Sequence, residues 1–495
     1  MQLRVQIRLP PEPRRRTAAE AQHVPAPRGA RSRIRLCERW GVLRTEPSRG
    51  RRGEHERFHS GNIQERLYEG DRVKITVWGI NYDPEPTGIG PFNTDLCAYF
   101  AERGHDVRMI TTFPYYPWWK KPPEARGKLY KTVAMKGVTV LRCWHYVPAK
   151  PSTLKRLLHE MSFVVTSALK ALFLPRPDVF IVVSPPLFLG PAAFAVSRIL
   201  RRPFVVHVQD LQPDAALGLG MIKPGPAVRA LYLLEKWNYR WAALVSGISQ
   251  GMLDAFARKD VAAEKICMFP NWVPDAKTTG GPVQPAVSAA SFRAANQLSL
   301  QTPLIAYSGN VGMKQGLEVV VEAAAKAKLE TTVRGGSDLR AIHWAICGEG
   351  AAKPALQEAI LRTGAESVRL YPLQPDDLYQ ALLREADISL ITQQRGTGQF
   401  FFPSKLLSIL QYGRPVLAVA DESSELARAV HQGDFGLVVE PGDASALLAA
   451  AEKMLAADDL QRAAWARNGR AWVDQFRRTP VLSAFEARLE TLRKR

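Results

Sequence analysis

The sequence predicts an α/β protein made of two doubly wound parallel-sheet domains that face a common cleft. Three observations carry this expectation. From Val73 short β-branched runs alternate with helical stretches; from Pro274 to Pro303 the strand signal gives way to Gly, Pro, Ser, Ala and Thr; and from Leu304 a second alternating series begins. At 495 residues the chain exceeds one ordinary core, and a hydrophobic content of 46% is enough to fill two. The expected segments are residues 1–71 outside both domains, a first domain over 72–273, a linker over 274–303, a second domain over 304–458, and C-terminal helices over 459–495 with the option of crossing back to the first domain.

Residues 1–71 are rich in arginine, Pro and Gly, contain no lysine, and show no sustained apolar period. Such a composition cannot bury enough surface to order itself. The segment is expected to be either a disordered basic tail or upstream sequence translated from a misplaced start, and without an apolar h-region it does not read as a secretory signal. The first domain opens as βαβ with VKITVWGI, a loop Asn81–Phe92, a helix near Thr94–Arg103 and DVRMITT. Further strands are expected at Val138–Cys143, Val179–Val183, Phe204–Val208, Leu244–Ile248 and Lys265–Phe269. Val179 to Leu200 is apolar for most of its length, but Pro185, Pro186, Gly190 and Pro191 interrupt it, so it reads as a buried strand, a turn and a core helix rather than a membrane span. The linker has room for a short helix near Phe292. Strands of the second domain are expected at Leu304–Ser308, Trp344–Cys347, Val368–Tyr371, Ile388–Ile391, Pro415–Val419 and Leu437–Val439.

In such sheets ligands sit at the carboxyl ends of the strands, and several segments place chemistry there. IAYSGNVGMKQGLEVVVE, Ile305–Glu322, is a strand, a turn with Gly309, Gly312 and Gly316, and a helix; free N–H groups at the turn and the charge of Lys314 point to an anion, with a diphosphate as the first choice. The turn is neither GxGxxG nor a P-loop, which argues against dinucleotides and ATP. ICGEG, Ile346–Gly350, is a second strand-to-glycine turn with Lys353 beyond it. At the tip of another strand, FVVHVQDLQPDAA carries His207, Gln209 and Asp210, polar groups suited to sugar hydroxyls or to orienting an acceptor. NYDPEPTGIGPF follows the first strand, and its Gly88 and Gly90 permit close backbone approach. FFPSKLLSILQYGRPVLAVA starts a helix at Pro403 and Ser404; Lys405 in its first turn opposes the helix dipole unless an anion binds nearby.

NYDPEPTGIG, HVQDLQPDAALGLG, YSGNVGMKQGLE, CGEG, and FFPSKL with QYGRPVLA occur in the order found in the retaining glycosyltransferases of family 4, and the region from about Val73 to Leu455 resembles that family, nearest its colanic acid biosynthesis subgroup. The resemblance implies the GT-B architecture, two Rossmann-like domains with the acceptor on the first and a sugar nucleotide, GDP- or UDP-linked, on the second. It implies a hexosyltransferase of exopolysaccharide, capsule or O-antigen assembly that keeps the anomeric configuration and has no obligatory metal and no cofactor besides its donor. By the same resemblance His207, Gln209, Asp210 and Lys314 form the catalytic set. Gly88, Gly90, Gly309, Asn310, Gly312, Gly316, Gly348, Glu349, Ser404, Lys405 and Ser408 surround the donor. Two positions depart from the wider family: Asn310 replaces an arginine, with Lys314 one place early before Gln315-Gly316, and Ser408 replaces the second of two glutamates, leaving no Asp or Glu between Asp387 and Asp421.

The formal charge of +20 and a pI near 9.9 call for an anionic partner. A lipid-linked saccharide acceptor at an anionic membrane surface fits. Lys120, Lys121, Lys128, Lys131, Lys155 and Arg156 stand among Trp118, Trp119 and Tyr130, so the protein is expected in the cytoplasm, free or peripheral on the inner face of the membrane. Five scattered cysteines without CxxC spacing agree with a reducing compartment. The competing readings are a GT-B sugar-nucleotide epimerase, which needs a carboxylate acid/base pair that no segment supplies, and a basic nucleic-acid-binding protein, against which the domain motifs argue.

Overall fold

The computed structural model describes residues 72–150, 152–218, 225–275, 290–334, 342–398 and 404–493. The basic N-terminal segment and residues 276–289 of the expected linker lie outside them. Eight strands form the first sheet: β1 Lys74–Trp78, β2 Asp106–Thr112, β3 Tyr130–Met135, β4 Val138–Cys143, β5 Val179–Ser184, β6 Phe204–Val208, β7 Leu244–Gly247 and β8 Ile266–Met268. Their spatial order is β3-β4-β2-β1-β5-β6-β7-β8, parallel except for β3. The second sheet orders six parallel strands as β11-β10-β9-β12-β13-β14, comprising β9 Leu304–Ser308, β10 His343–Cys347, β11 Val368–Tyr371, β12 Ile388–Thr392, β13 Val416–Val419 and β14 Gly436–Val439.

Central strands read as continuous apolar runs because helices cover both of their faces; all six residues of β5 are buried. That burial, followed by the helix Leu189–Leu200, accounts for the apolar stretch 179–200. No helix among the described residues is long and apolar enough to cross a membrane. β3 is absent from the sequence expectation. It is an edge strand whose residues are only partly covered, and Lys131 falls within it. Its signal was the Lys136-Gly137 pair: both residues have positive φ, +49° and +75°, and join Met135 to Val138 in a two-residue hairpin.

In each sheet the strand order reverses beside the first strand, between β1 and β5 and between β9 and β12. The loops after these strands gather at one cleft between the two lobes. After β14 the helix Asp459–Val473 stays on the second lobe, with Trp465 and Val473 in its cores. The helix Arg478–Arg493 crosses back and buries Leu482, Phe485 and Leu489 against the first lobe. Phe485 stacks on Phe269 at 3.8 Å, and Glu486 accepts from the Tyr99 hydroxyl at 3.2 Å and lies 2.7 Å from His105 Nε2. Arg478 holds Asp95 at 2.9 Å and Glu102 at 3.0 Å. The returning chain pairs with the departing one: Val273 N donates to Phe476 O and Arg478 N to Val273 O, each at 2.8 Å.

Replacing Phe485 by alanine removes a fully buried, stacked ring from a helix that joins both ends of the fold. The expected cost is about 3 kcal/mol or more in urea unfolding. A loss below about 1 kcal/mol would show that this helix is dispensable to the first lobe.

Candidate active site

A cavity of about 490 Å³ opens between the lobes. From the second lobe it is lined by Ser308 at the end of β9, Gly309 and Asn310 after it, Lys314 and Gln315 in the following turn, Glu349 after β10, Thr392 and Gln393 at the end of β12, and Ser404 and Lys405. Facing them are Thr87, Gly88, Tyr116, Pro117, Trp118, Gln209, Asp210 and Asn271. Nine of the residues expected at the site thus meet there: Gly88, Gln209, Asp210, Gly309, Asn310, Lys314, Glu349, Ser404 and Lys405.

Lys405 carries the strongest electrostatic signal. Among the described residues its Nζ is buried without a hydrogen-bond partner, 3.7 Å from the centroid of the Tyr307 ring. A Cβ on Gly309 would come within 3.2 Å of it, so glycine leaves the ammonium room against the turn. Burial, reinforced by the charge of Lys314, pushes its pKa down from an ordinary 10.5 to about 7. The Tyr307 ring gives cation–π stabilisation and its hydroxyl donates to Asn310 O at 2.7 Å, which fixes both ring and turn. Asp210 approaches from the opposite lobe; burial raises its pKa and Lys314 opposes the rise.

The turn itself corrects one expectation. Its N–H groups are largely committed: Gly309 N donates to Cys347 O, Val311 N to Glu349 O, Gly312 N to the Gln315 side chain and Gln315 N to Gly312 O, at 2.9–3.2 Å. The positive charge that this turn offers the cavity is therefore carried chiefly by the two ammonium groups rather than by a nest of free amides. Gly348 serves the same packing. A Cβ there would fall 1.8 Å from Gly309 O, and one on Gly350 2.0 Å from Val311 O, so the CGEG glycines let the two turns touch backbone to backbone. Lys353 folds back onto Gly348 O at 3.0 Å and pairs with Glu349 at 2.8 Å, and so stitches this turn instead of adding a second anion site.

Five more expected residues stand behind the cavity wall. Gly312 holds the turn. Gly316, at φ +58°, lets the chain pass the Gln394 backbone. Gly90 starts the helix Gly90–Glu102, where a Cβ would press on Glu85 O at 3.0 Å. Ser408 hydrogen-bonds Tyr379. His207 is also off the cavity: it is buried, and burial pushes its pKa down to about 3, so it is neutral. Its Nδ1–H donates to Ser246 Oγ at 3.0 Å and its Nε2 accepts from Gln209 at 2.8 Å. Gln209 donates as well to Asn271 Oδ1 at 3.0 Å and accepts from Asn271 Nδ2 at 3.2 Å. His207 is thus a positioning residue that aims Gln209 and, through it, Asn271 at the cleft.

Known proteins similar to this chain share its two-lobed fold. Residues 87–272 match the model described as "Glycosyl transferase 4-like domain" and residues 289–472 the model "Glycosyl transferases group 1". WcaI of Escherichia coli (strain K12), whose name assigns it as a glycosyl transferase to colanic acid biosynthesis, is 36% identical over 391 residues, covering 77% of this chain and 92% of WcaI. The chain belongs to this glycosyltransferase family. Among solved structures, sucrose-phosphate synthase from Thermosynechococcus elongatus superposes with a TM-score of 0.64 at 17% identity, over 85% of this chain and 99% of that one. WaaG, a glycosyltransferase of lipopolysaccharide biosynthesis, superposes with 0.57 at 18%, over 84% and 99%. The enzyme has the GT-B fold of these neighbours, and its activity is hexosyl transfer.

Sequence reading missed several wall residues of this glycosyltransferase and a buried carboxylate behind the wall. Glu85 is buried and binds the Tyr115 and Tyr116 N–H groups at 2.9 and 3.0 Å and Asn81 Nδ2 at 2.7 Å. Burial pushes its carboxyl upward against those bonds. It ties the Gly88 loop to the segment carrying Tyr116, Pro117 and Trp118. Its only signal was an acidic residue between two prolines in NYDPEPTGIG. Asn271, Thr392 and Gln393 lie at strand ends with nothing local to mark them.

Lys405→Met is expected to stabilise the unliganded glycosyltransferase by about 1–2 kcal/mol in denaturant unfolding. The sign follows from a folded pKa near 7 lying below the unfolded 10.5: the charge costs stability fully below pH 7, and this cost disappears as pH rises through 10.5. The same group makes anion binding take up a proton above pH 7, so affinity for a nucleoside diphosphate should fall as pH rises from 7 to 9, by at most about tenfold per unit. In Lys405→Met that dependence should vanish; if it persists unchanged, another group is responsible.

Proposed function

We propose that this glycosyltransferase moves a hexosyl group, with retention, from a GDP- or UDP-linked sugar to a lipid-linked saccharide in the assembly of a cell-surface polysaccharide. The observation that carries the reading is the unpartnered buried ammonium of Lys405, on the same cavity wall as Lys314. A dianionic diphosphate is the group this pair is suited to neutralise, because two ammoniums held in a desolvated cleft stabilise a departing charge far more than they would in water. Retention follows from one-face chemistry: the bond from the anomeric carbon to the phosphate oxygen breaks, the acceptor oxygen bonds to that carbon on the same face, and the hydroxyl proton passes to the departing phosphate oxygen. Gln209, Asp210 and Asn271 are then in place to hold sugar hydroxyls, with Tyr116 and Trp118 on the acceptor side.

Attachment to an anionic membrane is supported by a different surface from the one read in the sequence. Lys121 is turned inward onto His145 O and Trp144, Trp119 packs on Tyr115 and His159, and the Tyr130 hydroxyl is spent on Thr166 O. The helix Thr153–Leu172 instead exposes Leu154, Leu157, Leu158, Val165 and Leu169 along one side and ends at Phe173, which is 83% exposed. Lys155 borders that stripe, while Arg156 and Lys170 lean onto the Trp119 and Tyr130 rings on the other side of the helix; an exposed apolar stripe with a cation at its edge suits an interfacial helix lying on acidic lipid.

Lys314→Met/Lys405→Met should lower turnover of the cognate donor by at least about 100-fold, read against a panel of UDP- and GDP-sugars chosen by thermal stabilisation. Unchanged turnover would remove the site, and a product of inverted anomeric configuration by NMR would remove retention. Leu154→Ser/Leu158→Ser/Leu169→Ser should cut binding to phosphatidylglycerol vesicles at least about tenfold while leaving nucleotide binding intact. An unchanged bound fraction would overturn the membrane assignment.

A further inference from the structure

A second concavity lies on the second lobe near the amino ends of its strands, at the opposite end of the sheet from the cleft. It is enclosed by Arg414 and Pro415 before β13, by Tyr412 and Gly413 at the end of the helix Lys405–Gln411, by the end of the helix Ala444–Leu455, and by one side of the helix Asp459–Val473. Its volume is about 300 Å³.

Three guanidinium groups line it: Arg414, Arg462 and Arg470. Arg414 donates to Ala386 O at 3.2 Å, but its Nε is buried without an acceptor. Burial lowers its pKa, the charge of Asp387 opposes that, and the smaller effect of Arg470 lowers it further. Arg470 lies against the backbone of Gly413, where a Cβ would meet its guanidinium carbon at 2.5 Å, and gives Tyr412 O a 3.3 Å bond. Arg462 has only a 3.8 Å approach to Asp459. Among the described residues the one carboxylate on the wall, Asp387, is already engaged by Arg293 at 3.0 Å and by Leu304 N at 2.7 Å. Three cations facing one committed anion leave a net positive recess. Arginine forks match the tetrahedral oxygens of a phosphate in geometry as well as in charge.

We propose that this recess binds a phosphate monoester or inorganic phosphate, held by Arg414, Arg462 and Arg470, at a site separate from the diphosphate position in the cleft. Its volume admits a phosphate with a small substituent, such as a phosphorylated sugar, and not a whole nucleotide sugar. This binding goes beyond the transferase reading and does not depend on it.

The test titrates inorganic phosphate by calorimetry, at constant ionic strength, into the full chain carrying Lys314→Met/Lys405→Met, which blinds the cleft. One saturable site is expected. Adding Arg462→Gln/Arg470→Gln should weaken it at least tenfold. Absence of binding in the cleft-blind protein, or affinity unchanged within twofold after loss of the two arginines, overturns the proposal. Arg462→Gln alone, at an exposed position, guards against misfolding of the combined variant and should weaken phosphate binding at least threefold; no weakening overturns the proposal as well. Turnover measured without phosphate keeps the two readings apart: Arg462→Gln should retain it, while its loss in the cleft variant reports on the transferase site.

Discussion

An unneutralised ammonium inside the cleft is the feature around which the second lobe is arranged. Lys405 could have been a leucine at no cost to the core. Instead the fold supplies Tyr307 beneath its charge, a glycine at 309 to give it room, and a neighbouring Lys314 that makes its position still less comfortable. A protein gains nothing in stability from such a group, because desolvation disfavours its charge; under the proposed function the donor's diphosphate reverses that balance. The glycines of CGEG serve the same end indirectly, since they press the two turns together and hold Gly309 in place.

On the first lobe the corresponding task is orientation. A neutral imidazole, an amide pair and a serine form a closed chain from His207 through Gln209 to Asn271, so that polar groups at the ends of three strands present one fixed pattern to the cleft. Glu85 does the same for the two loops carrying Gly88 and Trp118. Both networks are fully hydrogen-bonded where they meet the interior, as a buried polar assembly must be if it is to specify geometry rather than loosen it.

Much of this was legible in the chain. Buried parallel strands announce themselves as β-branched runs, and the glycine turns and Lys405 stand out because they break local preferences. The edge strand Tyr130–Met135 was not legible, because a half-exposed strand carries lysine and threonine where a central one carries valine. Nor was the division of labour within a motif. Lys353 and Lys314 look alike in sequence, yet one closes a turn and the other faces the cavity. His207 and Gln209 share a strand face, but the cavity begins only at Gln209. Asn271 joins the site through a partner 62 positions away, and no local pattern encodes such a contact.

The paired crossing of the chain between the lobes has a mechanical consequence. Departing residue Val273 and returning residues Phe476 and Arg478 are stitched side by side, so both covalent connections pass through one short strip. Two tethers set far apart would resist every relative movement; two laid together act as a hinge, leaving rotation about that strip as the soft motion. The final helix, anchored through Phe485 and Glu486, belongs mechanically to the first lobe, so rotation about that strip would leave the packing of either core untouched.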